Sequence, residues 1–163
     1  MTNSTNSVIE SIRIDRGCAR IILLGVPDLP GVAASVFSAL AEKNVGVEMI
    51  VQNNMRGGMT DMTFLIRKDR LDDAIPVCRT AAEAIKAQGV SFNTEVASVS
   101  IHGEELSSNP DVTAKMFSTL ASVNVNIEMI TSSAFAVTCV IDATAVDRAV
   151  AALQKAFDVA SVR

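Results

Sequence analysis

Residues 30–50 read PGVAASVFSALAEKNVGVEMI, and residues 110–130 read PDVTAKMFSTLASVNVNIEMI. The two stretches agree at many positions, among them Phe37/Phe117, Leu40/Leu120, Asn44/Asn124, Glu48/Glu128 and Met49/Met129. They lie inside longer copies, residues 20–85 and 97–157, so one small unit occurs twice in the chain. Matching units can pack against each other and form a ligand site in the seam between them. We therefore expect the functional site to lie in that seam.

The composition is typical of a globular protein with a substantial core. With 163 residues of which 49% are hydrophobic, the chain is long enough for one domain or for two of about eighty residues. The repeat favours two. The sequence has no apolar run of about 18 residues and starts with the polar segment MTNSTNSVIE, so it predicts neither a membrane span nor a secretory signal. We expect a cytoplasmic protein.

Charge and cysteine content exclude several classes of partner. A net charge of −4, no Tyr or Trp and no cluster of Lys and Arg argue against nucleic-acid binding. Cys18, Cys78 and Cys139 are odd in number and far apart, which argues against a disulfide framework or a zinc site. The composition favours small ligands or protein partners.

Apolar periodicity in the first copy predicts the order strand, helix, strand, strand, helix, strand. The predicted elements are residues 21–26, 30–43, 45–51, 60–66, 69–87 and 90–96. Gly57 and Gly58 lie between the second and third strands and predict a hairpin there. This order indicates an α+β fold of the ferredoxin-like type, an antiparallel sheet with two helices on one face.

The second copy repeats this order but lacks its last strand. Its predicted elements are residues 99–102, 111–123, 125–131, 135–141 and 146–157. An apolar segment, residues 8–14, precedes the first copy and has no role in it. We predict that this segment pairs into the second sheet as the missing strand. The first domain then comprises residues 17–96, and the second comprises residues 8–16 plus 97–163.

The segment VPDLPGV, residues 26–32, joins the first strand to the first helix and admits two interpretations. In the first, Pro30 and Asp28 form an ordinary helix start, with the Asp28 side chain accepting a backbone N–H. In the second, the free amides and the helix dipole bind a ligand carboxylate, Gly31 permits close approach, and Asp28 holds an ammonium group. A carboxylate and an ammonium group side by side describe a free amino acid.

Other polar side chains are available to such a site. Gln52 ends the second strand and suits a ligand hydroxyl or amide, although a solvated hairpin residue is the alternative. In the second copy Asp111 stands at the position of Gly31 and adds a negative charge and a side chain, so binding of a carboxylate is less favourable there. Four residues of the second copy could close a pocket from a partner unit, or could form a polar sheet face: Asn126, Glu128, Ser132 and Ser133.

No pattern in the sequence indicates catalysis. His102 is the only histidine and has no recognisable nucleophile or carboxylate arrangement around it in sequence. A P-loop, a G-x-G-x-x-G motif and a metal-ligand cluster are also missing from the sequence, so we expect no cofactor or metal in this chain. The methionines are interpreted as packing residues: Met49, Met55, Met59, Met62, Met116 and Met129.

Four motifs together resemble the tandem ACT domains of aspartate kinases. They are VPDLPGVA at residues 26–33, VEMIVQN at 47–53, GMTDMTF at 58–64 and VNVNIEMI at 123–130, and the resemblance extends over residues 12–157. It implies a regulatory module, or a separate regulatory subunit, that binds threonine, lysine or both as feedback inhibitors of the aspartate-family amino-acid pathway. The kinase domain, with its ATP and Mg²⁺, would lie outside this chain.

The resemblance also implies the effector sites. Threonine would bind at the start of the first helix, with Gln52 toward its side chain and Asn126 and Ile127 of the partner subunit closing the site. The helix residues implied are Asp28, Leu29, Gly31, Val32 and Ala33. A second site would use Glu48, Val112, Thr113 and Ser133. Ala134 and Ala136 stand where the family usually has Glu and Arg, so a normal lysine site is not expected.

The implied assembly is a homodimer in which each first unit faces the second unit of the other chain, coupled to a kinase domain or subunit. Two alternatives in the binding class remain: a free-standing amino-acid sensor that regulates another protein, and a dimerisation module without ligand. An RNA-binding module of the same strand order would need exposed aromatic residues on the central strands, where the sequence offers Phe64 alone.

Overall fold

The computed structural model describes residues 8–54 and 56–163. The chain divides into two compact units, one of residues 17–94 and one that combines residues up to Arg16 with residues 95–163. The division falls after Thr94, whereas the repeat predicted it after residue 96. Val96 pairs with Asp142, so the strand that begins there belongs to the second unit.

Twelve main elements follow one another along the described residues. They are β1 (Ile9–Asp15), β2 (Cys18–Pro27), α1 (Val32–Glu42), β3 (Val47–Asn54), β4 (Met59–Arg67), α2 (Leu71–Ala84), β5 (Gly89–Asn93), β6 (Val96–Gly103), α3 (Pro110–Ser122), β7 (Met129–Ser132), β8 (Ala136–Asp142) and α4 (Val146–Phe157). Short 3₁₀ turns precede α2, α3 and α4.

The first unit is an antiparallel sheet in the order β3-β4-β2-β5 with α1 and α2 packed on it. Burial alternates along β2 and β4, because successive side chains of a strand point to opposite faces. In α1, Val36 and Leu40 are spaced by one helical turn and both are buried. The rings of Phe37 and Phe64 meet edge to face, 5.3 Å between centroids. These contacts join α1 to the central strands.

The second unit has the sheet order β1-β6-β8-β7, with α3 and α4 against it. β1 pairs antiparallel with β6, from Ile9 opposite Gly103 to Asp15 opposite Ser98. The N-terminal strand therefore completes the second sheet, as predicted. Its Ile12 is fully buried in the core of that unit. The predicted α+β fold of two ferredoxin-like units is confirmed.

Two predicted boundaries were wrong near the candidate site. α1 begins at Val32 instead of residue 30, because Gly31 takes a left-handed conformation (φ 91°) that ends the turn before the helix. The strand predicted at residues 125–131 begins only at Met129. Pairing with β8 starts there, apart from one bond from Glu128 N to Val140 O at 2.8 Å. Asn126 and Glu128 therefore precede the strand.

In the described part of the chain, no helix has the length and apolar character needed to cross a membrane.

Candidate functional site

Residues 27–31, which we call the α1 turn, connect β2 to α1. Asp28 N donates to Gly58 O at 2.9 Å, and Leu29 N donates to Pro27 O at 3.0 Å. The first bond ties the turn to the loop of the β3–β4 hairpin, and the second closes the chain tightly on itself. The turn is thus fixed by one hydrogen bond within itself and by one to the neighbouring hairpin.

The start of α1 leaves amides without acceptors. Val32 N reaches Leu29 O at 3.4 Å and Ser35 N reaches Gly31 O at 3.0 Å. Between them, the amides of Ala33 and Ala34 have no acceptor among the described residues, and no side chain caps the helix. The first turn also carries no acidic residue, so nothing within it offsets the positive end of the helix dipole.

This arrangement excludes the interpretation of the segment as an ordinary capped helix start. Asp28 does not accept an amide of α1, because Gly31 occupies the capping position and Pro30 lies outside the helix. The Asp28 side chain is instead exposed to solvent. A carboxylate at this place is therefore available to a ligand.

A cavity of about 380 Å³ opens at the α1 turn. Six of the residues predicted from the sequence line it together: Asp28, Leu29, Gly31, Val32, Ala33 and Gln52. Gln52 comes from β3, where it pairs opposite Met62 of β4. The structure therefore places the helix start and the far end of β3 around one space, with free amides, one carboxylate and one carboxamide.

Sequence reasoning missed three residues that line the same cavity: Pro27, Pro30 and Met62. Both prolines belong to the quoted motif, but only Pro30 was given a role, at the start of the helix. Met62 was interpreted as a packing residue, and it is indeed 1% exposed. Its pairing opposite Gln52 could have been found only from the strand register.

Asn126 and Ile127 lie in the second unit, between α3 and β7. Asn126 is exposed, whereas Ile127 is partly buried against the core of its own unit. An exposed carboxamide at this position is compatible with contact to another chain.

The residues of the predicted second site are less suited to a ligand. The side chain of Val112 is fully buried in the core, and Thr113 beside it is half-buried. The Ser133 hydroxyl accepts hydrogen bonds from the amides of Phe135 at 3.2 Å and Ala136 at 3.1 Å, so it stabilises its own turn. Glu48 lies on β3 of the other unit and is exposed.

A serine and a histidine do meet on β6, which sequence reasoning did not anticipate. Ser100 Oγ lies 2.8 Å from His102 Nε2. Burial, and then the positive charge of Arg13, lower the pKa of His102, so the imidazole favours its neutral form. Both residues lie within a strand that pairs with β1 and β8. Its amides serve the ladder and cannot form an oxyanion hole, so the pair does not constitute an acyl-transfer site.

The cysteines behave as buried packing residues. All three are buried, and none of them forms a disulfide. Burial raises the pKa of Cys78 to about 11 and that of Cys139 to about 12, so both thiols are protonated at neutral pH. Among the described residues, no three His, Cys, Asp or Glu side chains come together as a metal site.

Comparisons with known proteins identify the family. The model of the ACT domain matches residues 21–82 and 99–157, which correspond to the two repeats. An aspartate kinase of Pseudomonas fluorescens is 36% identical over 151 residues, which cover 93% of this chain and 37% of the relative. The chain therefore spans little more than a third of the length of the curated aspartate kinases it matches, and their kinase domain lies outside these residues.

Solved structures agree with this match. The ligand-free regulatory subunit of aspartate kinase from Thermus thermophilus is 36% identical with a TM-score of 0.88, covering 92% of this chain and 99% of that one. A structure of aspartokinase alpha and beta subunits matches with 35% identity and a TM-score of 0.86, over 92% of this chain and 99% of that one. The chain belongs to the ACT-domain family, as a regulatory ACT region of the aspartate kinase type.

Proposed function

We propose that this chain binds free threonine at the α1 turn and that this binding inhibits an aspartate kinase, which provides feedback inhibition of the aspartate-family pathway. The observation that carries the proposal is the cavity in which Asp28, Gln52 and the open start of α1 meet. Its volume of about 380 Å³ falls within the range of about 300–1,000 Å³ that is usual for small-molecule sites.

Each polar group of threonine would find a partner at the start of α1 or in the cavity beside it. The ligand carboxylate would accept from the amides of Ala33 and Ala34, where the helix dipole also favours negative charge. The ammonium group would pair with Asp28. Gln52 can donate to or accept from the side-chain hydroxyl, because a carboxamide offers both functions.

The lining of the cavity favours threonine over lysine. Among the described residues that line it, Asp28 is the only ionisable one. If Asp28 holds the α-ammonium group, the side-chain ammonium of lysine would remain without a carboxylate, and leaving a charge unpaired in a partly enclosed site is costly. We confine the proposed binding to the first unit, because Val112 is buried and the Ser133 hydroxyl is engaged in its own turn. A second effector site at Glu48, Val112, Thr113 and Ser133 stays a prediction that follows from the family resemblance alone.

Regulation would require a second chain. In the proposed homodimer, Asn126 and Ile127 of the partner subunit close the cavity, so that the effector bridges two chains and favours one arrangement of the pair. The preference would reach the kinase domain or subunit as a coupling free energy, typically about 1–3 kcal/mol. A cytoplasmic location and the absence of a cofactor from this region stay predictions.

Calorimetric titration of the full chain tests the site. We expect threonine to bind, and Asp28→Ala to weaken it by at least about tenfold, since one charge-assisted hydrogen bond is lost. Asp72→Ala removes a charge from an exposed position on α2 and should leave the affinity unchanged. The absence of any heat with wild-type protein, or an Asp28→Ala affinity equal to wild type, would contradict the proposal.

Valine gives a second control, because it has the shape of threonine without the hydroxyl. Wild-type protein should prefer threonine to valine, since a site that hydrogen-bonds a hydroxyl leaves its own polar group unpaired with the analogue. Gln52→Ala should reduce that preference. An unchanged preference would remove Gln52 from the site while leaving Asp28 in it.

A further inference from the structure

β2 carries a bulge immediately before the α1 turn. Leu23 pairs opposite Met62 and Val26 opposite Thr60, so two residues of β2, Leu24 and Gly25, oppose the single Asp61 of β4. Gly25 has φ 56°, in the left-handed region that glycine adopts without strain. A bulge leaves its extra residue out of the ladder and bends the strand.

The side chain of Asp61 supplies what the ladder lacks at this bulge. Its Oδ1 accepts the Gly25 N–H at 2.9 Å. Asp61 is half-buried, and a carboxylate acceptor forms a stronger bond to an amide than a neutral one does. The residue opposite the bulge therefore holds the bulge through its side chain.

A second residue holds the bulge from the other side. Gln88 packs over Gly25 so closely that a Cβ on Gly25 would meet its side chain, with Oε1 at 2.7 Å. Gln88 N also donates to Leu24 O at 2.8 Å. Both residues of the bulge are therefore held in place, and a side chain at position 25 would have to displace Gln88.

In the second unit, Glu105 takes the left-handed conformation that Gly25 takes in the first (φ 53°), but it lies beyond the end of β6. The corresponding central pair of the second sheet, β6 and β8, runs from Val96 opposite Asp142 to His102 opposite Ala136 without a register shift. Beyond His102, backbone bonds run from Gly103 N to Phe135 O at 3.1 Å and from Leu106 N to Ala134 O at 2.8 Å. Among the described residues of the second unit, no carboxylate accepts a backbone amide at this place.

From this geometry we infer that Asp61 is a positioning residue for the effector site. It fixes the bulge at Gly25 and thereby holds the α1 turn in the orientation that faces Gln52. Asp61 is not among the residues that line the cavity, whereas its neighbour Met62 is. It acts through Gly25, which stands two residues ahead of Pro27 at the start of the turn. This inference rests on the proposed binding of an amino acid at the α1 turn.

The test uses the full chain as wild type, Asp61→Ala, Asp61→Asn and the surface control Asp72→Ala, with two readouts. The first is amide hydrogen exchange at Gly25 and along the α1 turn in the absence of ligand. The second is affinity for L-threonine by calorimetry. Asparagine keeps an oxygen that can accept the Gly25 N–H, so the pair of Asp61 variants separates loss of the hydrogen bond from loss of the charge.

We expect Asp61→Ala to accelerate amide exchange at Gly25 and to weaken the binding of threonine by about tenfold. Asp61→Asn should retain slow exchange and lose no more than about threefold in affinity, because a neutral acceptor is weaker but still present. Asp72→Ala should match wild type in both readouts. Agreement of all three variants with this order supports the positioning role.

Three results would overturn it. Exchange at Gly25 that is the same in Asp61→Ala as in wild type would show that the contact does not hold the bulge. Faster exchange with unchanged affinity would separate the bulge from the site. Equal loss of affinity in Asp61→Asn and Asp61→Ala, with slow exchange in both, would mean that the carboxylate acts on the ligand by its charge. Wild-type protein that binds no amino acid refutes the proposed function instead, and the exchange readout then still decides whether Asp61 holds the turn.

Discussion

At the scale of single residues, two glycines stand where a side chain would strain the backbone or collide with it. Gly31 takes a left-handed conformation and so ends the α1 turn, which leaves the amides of Ala33 and Ala34 open. Gly103 lies opposite Ile9, and a Cβ there would collide with the backbone of Val8, whose carbonyl carbon would be 3.0 Å away. One glycine forms the candidate site, and the other admits β1 to the second sheet.

Gly103→Ala should destabilise the second unit by about 2 kcal/mol, because the added methyl meets backbone that cannot move aside as a side chain would. Urea unfolding, combined with amide exchange along β1 and β6, measures the effect. Gly46→Ala is the matched control, since nothing lies within 4 Å of its Cβ position, and it should change stability by less than about 0.5 kcal/mol. Equal effects of the two substitutions would show that β1 does not approach Gly103 so closely.

At the scale of elements, β1 belongs to the second unit, although the whole first unit separates it in sequence from the other strands of its sheet. Besides pairing with β6, it binds the C-terminal residues on its outer side: Ile12 N donates to Ser161 O at 3.0 Å, and Arg163 N donates to Ile12 O at 2.9 Å. Ile12 is fully buried, with Ile9 beside it at 6% exposure. β1 therefore contributes both ladder hydrogen bonds and core packing.

Ile12→Ala should cost about 3 kcal/mol of unfolding free energy in the second unit, because it removes buried apolar volume from a packed core. Ile50→Ala makes the same chemical change at a side chain that is 54% exposed on β3, and its cost should stay below about 1 kcal/mol. Chemical denaturation of both variants gives the comparison. Similar costs for the two would contradict the assignment of β1 to the core.

The order of elements was predictable from the sequence because apolar side chains follow the strand and helix periods. α4 was predicted at residues 146–157 and is observed at Val146–Phe157. Boundaries that depend on partners were not predictable. The predicted strand at residues 125–131 had the correct apolar pattern, yet only Met129–Ser132 forms the paired strand with β8.

At the scale of the whole molecule, the two units differ in continuity. The first is a single stretch, residues 17–94, whereas the second combines the segment before it with residues 95–163. Each has its own apolar core, around Phe64 in the first unit and around Phe157 in the second. A complete sheet and a complete core within one stretch are the requirements for a domain that folds alone.

Residues 17–94 expressed alone should therefore unfold in one cooperative transition, visible by circular dichroism and by dispersed amide resonances. Residues 95–163 expressed alone should not, because they lack β1 and expose the edge of β6. Joining residues 8–16 to that fragment through a flexible linker should restore its folding. A stable fold for residues 95–163 without β1 would refute the dependence of the second unit on that strand.

The sequence by itself determined the repeat, the α+β order of elements, the need for β1 in the second sheet and the residues of the α1 turn, because each of these follows from local periodicity or from residue type. Only the tertiary structure decided that Asp28 leaves the helix uncapped, that Met62 lies in the wall of the cavity, and that Asp61 reaches Gly25 across the sheet. These features depend on strand register and on one bulge. A register is set by contacts between residues distant in the chain, and local sequence patterns do not contain that information.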